Sequence, residues 1–177
     1  MQFTSSYQSP ISKILLAAEE TGLTGLWFEG QKYFALRLDA EHEERETPIL
    51  AKAKKWLDIY FSGKQPEFAV PLRFAGTPFQ NEVWKILLSI PYGKTMTYGE
   101  IAREIAARKG LARMSAQAAG GAVGRNEISI IIPCHRVVGT NGSLTGYAGG
   151  IEKKIKLLLL EGADMMRLFI PKKGTAL

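Results

Sequence analysis

The sequence has 177 residues and a formal net charge of +6; 46% of its residues are hydrophobic and 23% charged, typical of a soluble globular protein with one sizeable domain or two small ones. The single cysteine excludes an internal disulfide and a multi-cysteine zinc site and suits a reducing compartment. Because the start lacks a basic segment followed by an apolar run, and no apolar stretch is long enough to cross a bilayer, we expect a cytoplasmic protein without membrane contact.

The charge is unevenly distributed along the chain. Residues 1–71 contain 8 Lys and Arg against 10 Asp and Glu, whereas residues 72–177 contain 15 against 7. A basic C-terminal part beside an acidic companion indicates a polyanionic partner for the C-terminal part alone. Ordinary charge for solubility is the alternative, and the balance of charges by itself favours that alternative.

The first elements predicted are strands. Apolar runs at 13–18 and 23–28, separated by Glu-Glu-Thr-Gly, indicate a β-hairpin that turns at Gly22. Residues 33–38 are a candidate third strand. The acidic run 41–46 that follows contains a lone histidine, which we interpret as a solvated loop residue and not as a metal ligand.

A helix then completes the N-terminal part. Thr47 and Pro48 form a helix start, an aromatic and aliphatic stripe follows, and Gly63 ends the helix. The stripe predicts a core face against the strands, and we find no chemistry in this part. We therefore predict an N-terminal domain over residues 1–71 and a linker over 72–78.

Three short helices are predicted next. Thr77 to Gln80 and Thr97 to Glu100 are capping boxes that begin the first two helices, and Gly110 ends the second. Ser115 caps a third helix that runs to about Gly124. The second and third helices, joined by a small turn, form a helix-turn-helix pattern.

The third helix consists almost entirely of small residues, so it can approach another surface closely. Its two adjacent glycines cost helix stability and need either a packing or a contact reason. Internal packing and nucleic-acid contact both satisfy this requirement. The surrounding cations favour DNA, because phosphate contacts need positive charge. These cations are Arg103, Arg108, Lys109, Arg113 and Arg125.

The only cysteine, Cys134, lies beside one of only two histidines, His135. The β-branched residues of 128–132 predict a short buried strand, and Pro133 predicts a bend at the cysteine. An imidazole next to a thiol can take its proton and generate a nucleophilic thiolate. A buried free cysteine can equally be an inert core residue, and adjacency alone leaves the two alternatives even.

A glycine-rich loop and a helix follow the cysteine. The loop 146–150 is able to close over a ligand, and its tyrosine suits a pocket wall. The helix ends at Glu161, whose carboxylate at a helix C-terminus needs a compensating partner. His135 is a candidate for that partner; the alternative is a solvated glutamate. We expect the tail over residues 168–177 to be mobile.

Three motifs carry a resemblance to a known family. The segments IIPCHRVVG, GYAGG and LLLLEG resemble those of the O6-alkylguanine-DNA alkyltransferases, also called methylated-DNA–protein-cysteine methyltransferases. The match extends from about residue 79 to residue 162, and its PCHRV core is highly specific. The resemblance implies direct DNA repair, in which the alkyl group of O6-alkylguanine moves irreversibly to Cys134, with O4-alkylthymine as a further candidate substrate.

The resemblance also implies roles for individual residues. Cys134 would accept the alkyl group, His135 would act through a water as its base, and Glu161 would orient the imidazole. Asn126 would brace the active-site turn, and the phenol of Tyr98 would protonate the leaving guanine. The positions that the resemblance assigns to DNA or to the flipped base are Ser115, Ala116, Gln117, Arg125, Arg136, Val137, Thr140, Tyr147 and Ala148.

The sequence departs from the family pattern at two points. Gln117 stands where many members carry an arginine that fills the gap left by the flipped base, so DNA affinity or flipping is expected to be weaker. The zinc site of some members is absent because its cysteines are missing, and we expect no cofactor and no metal.

Together these observations predict an α/β (α+β) protein. A small N-terminal sheet and helix precede a mostly helical domain over residues 79–167, which has a helix-turn-helix and a short active-site strand. The expected partner is duplex DNA containing O6-alkylguanine, bound by a monomer. Two alternatives stay open on the residues alone: a helix-turn-helix DNA-binding module with an inert thiol, and a cysteine hydrolase.

Overall fold

The fold is mixed α and β, as the sequence predicts. The computed structural model describes residues 1–172, which form two compact units. The first unit contains Met1–Ala75 together with Glu127–Ser129, and the second contains Gly76–Asn126 and the described residues from Ile130 onward. None of the helices in residues 1–172 combines the length and the apolar character needed to span a membrane.

A four-stranded sheet organises the first unit. Across the sheet the strands are β3 (Gly22–Phe28), β2 (Lys13–Glu19), β1 (Gln2–Gln8) and β4 (His42–Glu44). The predicted hairpin between β2 and β3 is confirmed as an antiparallel pair, β1 pairs antiparallel with β2, and β4 pairs parallel with β1. Every residue of β3 is buried, although this strand lies at one edge of the sheet.

Two predictions for the first unit are wrong. Residues 33–38 form successive turns and not a strand, because Tyr33 and Ala35 have φ values of 58° and 51°, outside the extended region. The acidic run predicted as a loop contributes strand β4, although its side chains are exposed as expected. Strand β1 was not predicted, because its many polar residues leave no clear alternation of apolar and polar side chains.

The helix of the first unit forms as predicted. It is α1 (Pro48–Phe61), and the hydroxyl of Thr47 accepts a hydrogen bond from the backbone N–H of Leu50 at 3.3 Å. The helix buries Leu50, Ala53, Leu57 and Tyr60 and contacts β1, β2 and β3. It ends before Gly63, whose φ of 85° suits glycine.

The second unit contains four α-helices among its described residues: α2 (Pro78–Leu88), α3 (Tyr98–Lys109), α4 (Ala116–Gly124) and α5 (Ile151–Leu160). Both predicted capping boxes are confirmed, at the starts of α2 and α3, and Ser115 caps α4. A left-handed Gly110 ends α3. Helices α3 and α4 pack against each other as a helix-turn-helix, and α2 packs against both.

The segment before the cysteine is not the strand that the sequence predicts. Ile128 makes a single bridge with Leu26, the next residues form turns, and Ile130 has a φ of 68°. Residues 128–132 are nevertheless all buried. The apolar, β-branched run therefore reflects burial on all sides and not membership of a sheet.

Short elements complete the second unit. A two-residue strand β5 (Met96–Thr97) pairs parallel with β6 (Val137–Val138), and the chain after β6 bridges Ser143 to Phe169. The backbone N–H of Phe169 donates to Gly142, and that of Leu144 donates to Phe169. These contacts include the start of the segment predicted as a mobile tail; residues 173–177 of that segment lie outside the described residues.

Candidate active site

Cys134 begins a short 3₁₀ helix, Cys134–Arg136, which takes the place of the predicted bend in a strand. Its side chain is only 5% exposed. The amide nitrogen of Asn126 donates both to the Cys134 sulfur at 3.2 Å and to the carbonyl of Ile132 at 2.9 Å. One amide group thus holds the turn before the cysteine and contacts the sulfur itself.

The surroundings of the thiol oppose its ionisation. Burial raises the pKa of Cys134, while the hydrogen bond from Asn126, the positive charge of Lys154 and nearby backbone N–H groups lower it. The net pKa is higher than the ordinary value. Because only the thiolate is a strong nucleophile, this cysteine needs a base at neutral pH.

His135 and Glu161 form the contact that the sequence suggests. The imidazole Nε2 lies 2.6 Å from Oε1 of Glu161, and both side chains are fully buried. An ionised carboxylate can only accept, so Nε2 carries the hydrogen and Nδ1 carries the lone pair. Burial lowers the pKa of His135, which keeps the imidazole neutral and able to act as a base.

The carboxylate of Glu161 is held from several sides. Arg136 donates to both of its oxygens, from Nε at 2.9 Å and from Nη2 at 3.0 Å, and the backbone N–H of Gly93 donates at 3.1 Å. Burial opposes ionisation, but the hydrogen bonds and charges of His135 and Arg136 lower the pKa of Glu161 to about 2. The carboxylate is therefore ionised throughout the physiological range.

Arg136 occupies a different place from the one the sequence suggests. The resemblance assigns it to DNA, but the side chain is 9% exposed and its guanidinium points into the unit. Besides Glu161, it binds the carbonyl oxygen of Ile90 from Nη1 at 2.7 Å. Its donors orient the Glu161 carboxylate, and sequence reasoning missed this role because both partners are distant along the chain.

The glycine-rich loop is fastened at its start. The hydroxyl of Tyr98 is 3.3 Å from the carbonyl oxygens of both Thr145 and Gly146. Burial, and then the negative charge of ionised Cys134, raises the pKa of Tyr98, so its phenol remains a proton donor. In the same loop the ring of Tyr147 stands edge-on to that of His135, with 6.5 Å between centroids.

Sequence reasoning missed Lys154 entirely. This side chain is 0% exposed, and its ammonium donates to the carbonyls of Val137 at 2.5 Å, Thr145 at 2.9 Å and Gly146 at 3.4 Å. A signal was present, because Lys154 lies between Ile151 and Leu158 on the apolar face of α5.

The residues expected at the DNA lie on the exposed face of α4 and around it. Ser115, Ala116, Gln117 and Gly121 are exposed, and a Cβ added at Gly121 would meet no other part of the structure within 4 Å. The cations predicted to surround this helix are also exposed, namely Arg103, Arg108, Lys109, Arg113 and Arg125. Thr140 is exposed, and Tyr147 and Ala148 are half-buried.

Chemically, the arrangement provides a nucleophile, a neutral imidazole and an ionised carboxylate that orients it. The structure brings together Cys134, His135, Glu161, Asn126 and Tyr98. Within residues 1–172, no three His, Cys, Asp or Glu side chains are grouped so as to hold a metal ion.

Family models match almost the whole chain. Residues 3–74 match the 6-O-methylguanine DNA methyltransferase ribonuclease-like domain, and residues 78–163 match the DNA binding domain of the same family. Curated relatives named methylated-DNA–protein-cysteine methyltransferase include one from Mycobacterium leprae, 46% identical over 88% of this chain and 90% of its own length. Another, from Methanosarcina acetivorans, is 46% identical over 89% and 96%.

Solved structures give the same picture. The chain is similar to the Mycobacterium tuberculosis protein described as OGT in complex with DNA, with a TM-score of 0.78, 42% identity and 94% of both chains covered. It is also similar to an O6-methylguanine DNA methyltransferase from Methanococcus jannaschii, with a TM-score of 0.63, 26% identity and coverage of 96% and 98%.

Proposed function

The chain belongs to the methylated-DNA–protein-cysteine methyltransferase family, and we propose that Cys134 is the residue to which it transfers the alkyl group of O6-alkylguanine in DNA. The observation that carries this proposal is the buried group of Cys134, His135 and Glu161, joined by the 2.6 Å contact between the last two. Cys134 is also the only cysteine of the sequence.

The chemistry follows from the proton positions. Nδ1 of His135, acting through a water, takes the thiol proton of Cys134. The thiolate sulfur attacks the alkyl carbon, a C–S bond forms, and the bond from that carbon to O6 breaks. The electron pair passes into the guanine, which receives a proton from the phenol of Tyr98, and the product is a thioether and normal guanine.

The reaction happens once for each molecule. A thioether has no good leaving group, so Cys134 remains alkylated and the protein is consumed as a reagent. A cysteine hydrolase with the same three side chains would instead pass through an acyl-enzyme and turn over.

The substrate is duplex DNA, and the damaged nucleotide must leave the stack, since a buried sulfur cannot reach O6 inside a base pair. We propose that residues 79–167 form the DNA-binding and acceptor domain. Its helix α4 would enter the groove, with Ser115, Ala116 and Gln117 nearest the DNA and Arg125 and Thr140 on the backbone. Gln117 would fill the space left by the flipped base.

The flipped base would meet backbone groups of Cys134, Val137 and Ala148, with Tyr147 as a wall of the pocket. The contact between Tyr147 and His135 supports this placement. The carbonyl of Val137 already accepts from Lys154, so a base would use its second lone pair. Thymine alkylated at O4 presents similar chemistry and is included in the proposal.

We further propose that the protein works as a monomer in the cytoplasm, where reducing conditions keep its thiol available. Cell fractionation followed by immunodetection tests the compartment. Sedimentation of the purified protein with and without duplex tests the oligomeric state, and a dimer in either measurement would contradict the proposal.

The decisive experiment measures intact protein mass after incubation with a duplex that holds one O6-methylguanine. We expect a gain of one methyl group, limited to one equivalent and mapped to Cys134, and no gain with unmodified duplex. Cys134→Ala should bind DNA and gain no methyl. If wild-type protein binds the duplex but its mass does not change, alkyl transfer is excluded. The protein would then be interpreted as a DNA-binding module with an inert thiol.

A further inference from the structure

Lys154 is a buried ionisable group that the chemistry above does not use. It lies on the inner face of α5 and its side chain is completely shielded from solvent. All three hydrogen-bond acceptors of its ammonium are backbone carbonyls, those of Val137, Thr145 and Gly146. Carbonyl dipoles compensate only part of the free energy that burying a charge costs, so a buried lysine at this position requires a functional or structural explanation.

The three carbonyls belong to two segments that follow the cysteine in the sequence. Val137 directly follows the 3₁₀ helix Cys134–Arg136, and Thr145 and Gly146 lead into the loop that carries Tyr147. The hydroxyl of Tyr98 binds the same two loop carbonyls. Lys154 therefore ties the loop to strand β6, and Tyr98 holds the same two loop carbonyls.

The charge of this ammonium acts on the sulfur as well. Burial lowers the pKa of Lys154 to about 8, and the negative charge of ionised Cys134 acts against that shift. By the same interaction the ammonium favours the thiolate. The ionisable or polar groups that act on the thiol, or on the imidazole beside it, are Asn126, His135, Tyr98, Lys154, Arg136 and Glu161.

We propose that Lys154 is a positioning residue for alkyl transfer, which holds the Tyr147 loop against β6 and presents a positive charge to the sulfur while Cys134 is ionised. The proposal rests on the proposed function for the transfer step, whereas its effect on the thiol does not depend on DNA.

The test compares Lys154→Met, which removes charge and donors, with Lys154→Gln, which keeps N–H donors but no charge. Lys156→Met, on the exposed side of the same helix, is the control. The first readout is the rate of Cys134 alkylation by iodoacetamide, measured against pH in the absence of DNA. The pH at which this rate is half its maximum is the thiol midpoint, the apparent pKa of Cys134. We expect both Lys154 variants to raise this midpoint, and the control to leave it unchanged.

The second readout is the rate of methyl transfer from an O6-methylguanine duplex. We expect Lys154→Met to slow transfer about 100-fold and Lys154→Gln to slow it less, because a misplaced loop costs reactive geometry. A folded Lys154→Met with the wild-type midpoint and rate would overturn the proposal. Should that variant not fold, a wild-type midpoint in Lys154→Gln would overturn it. If wild-type protein transfers no methyl group, the proposed function is wrong. The thiol midpoints of the Lys154 variants still test the effect of Lys154 on Cys134, because that measurement needs no DNA.

Discussion

The guanidinium of Arg136 lies against the carboxylate of Glu161 in a two-point contact, Nε to Oε2 at 2.9 Å and Nη2 to Oε1 at 3.0 Å. Such a contact fixes the plane of the carboxylate as well as its charge. The same carboxylate accepts from Nε2 of His135, so the orientation of the imidazole depends on a residue that sits next to it in the sequence.

Replacing Arg136 tests this relationship. Arg136→Met leaves a buried carboxylate without its cation, and we expect the free energy of unfolding to fall by about 3 kcal/mol. Methyl transfer should slow, while the salt dependence of DNA binding should not change. Urea unfolding and DNA titrations at several salt concentrations measure the two effects.

Arg125→Met is the matched variant, because Arg125 is exposed beside α4. It should leave stability unchanged and reduce the salt slope of DNA binding by about one. If Arg136→Met lowers the slope in the same way, the DNA contact suggested by the sequence is correct and the inward role is wrong.

Acid should destabilise the protein through two groups. The pKa of Glu161 is about 2 in the fold against an ordinary value of 4.5, so the unfolded chain takes up a proton first as the pH falls. The stabilisation, about 3 kcal/mol for such a shift, is complete above pH 4.5 and is lost towards pH 2. His135, whose pKa is lowered, adds an earlier loss that begins as the pH falls below 6.5.

Unfolding free energies between pH 7 and pH 2 measure this dependence. Glu161→Gln should be less stable than wild type at pH 7 and should show a flatter profile below pH 4.5. If the unfolding free energy of Glu161→Gln falls with pH below 4.5 as steeply as that of wild type, other carboxylates cause the loss of stability in acid.

A substitution at Gly121 should change the stability of the fold and the affinity for DNA in opposite directions. A Cβ at this exposed helical position meets nothing within 4 Å, so Gly121→Ala should stabilise the fold by up to about 1 kcal/mol. If α4 enters the groove, the added methyl should weaken DNA binding. Thermal unfolding and DNA titration measure the two effects, with Gly124→Ala at the helix end as control. Unchanged affinity in Gly121→Ala would place the groove contact elsewhere.

Gln117 tests the placement of α4 by added charge. Gln117→Arg should tighten DNA binding and steepen its salt dependence by about one, since one more phosphate is neutralised. Gln65→Arg adds the same charge at an exposed position of the first unit and should leave the slope unchanged. An equal response of both variants would mean that net charge alone is responsible.

Features with a local cause could be predicted from the sequence. The capping boxes at Thr77 and Thr97 depend on four consecutive residues, and the hairpin of β2 and β3 depends on a short turn between two apolar runs. The helix-turn-helix follows from the same local signals. The family resemblance then placed Cys134, His135 and Glu161 together, although Glu161 lies 26 residues from the histidine.

Features with distant causes could not be predicted. Strand β4 pairs with β1 across some forty residues, and residues 128–132 resemble a strand only because their apolar side chains are buried. Arg136 and Lys154 carry charges that ordinarily indicate the surface. Their partners, a carboxylate and backbone carbonyls, become neighbours only in the folded chain.

The only thiol of the protein, that of Cys134, stands next in the sequence to the buried imidazole of His135. A thioether at Cys134 is not exchanged by thiols, and with one cysteine in 177 residues the chain has no second cysteine to accept another alkyl group. Each molecule therefore accepts one alkyl group and keeps the mass that this group adds. In a population of these molecules, the fraction alkylated at Cys134 reports the accumulated dose of damage, so the amount of protein, and not its speed, limits how much damage can be repaired.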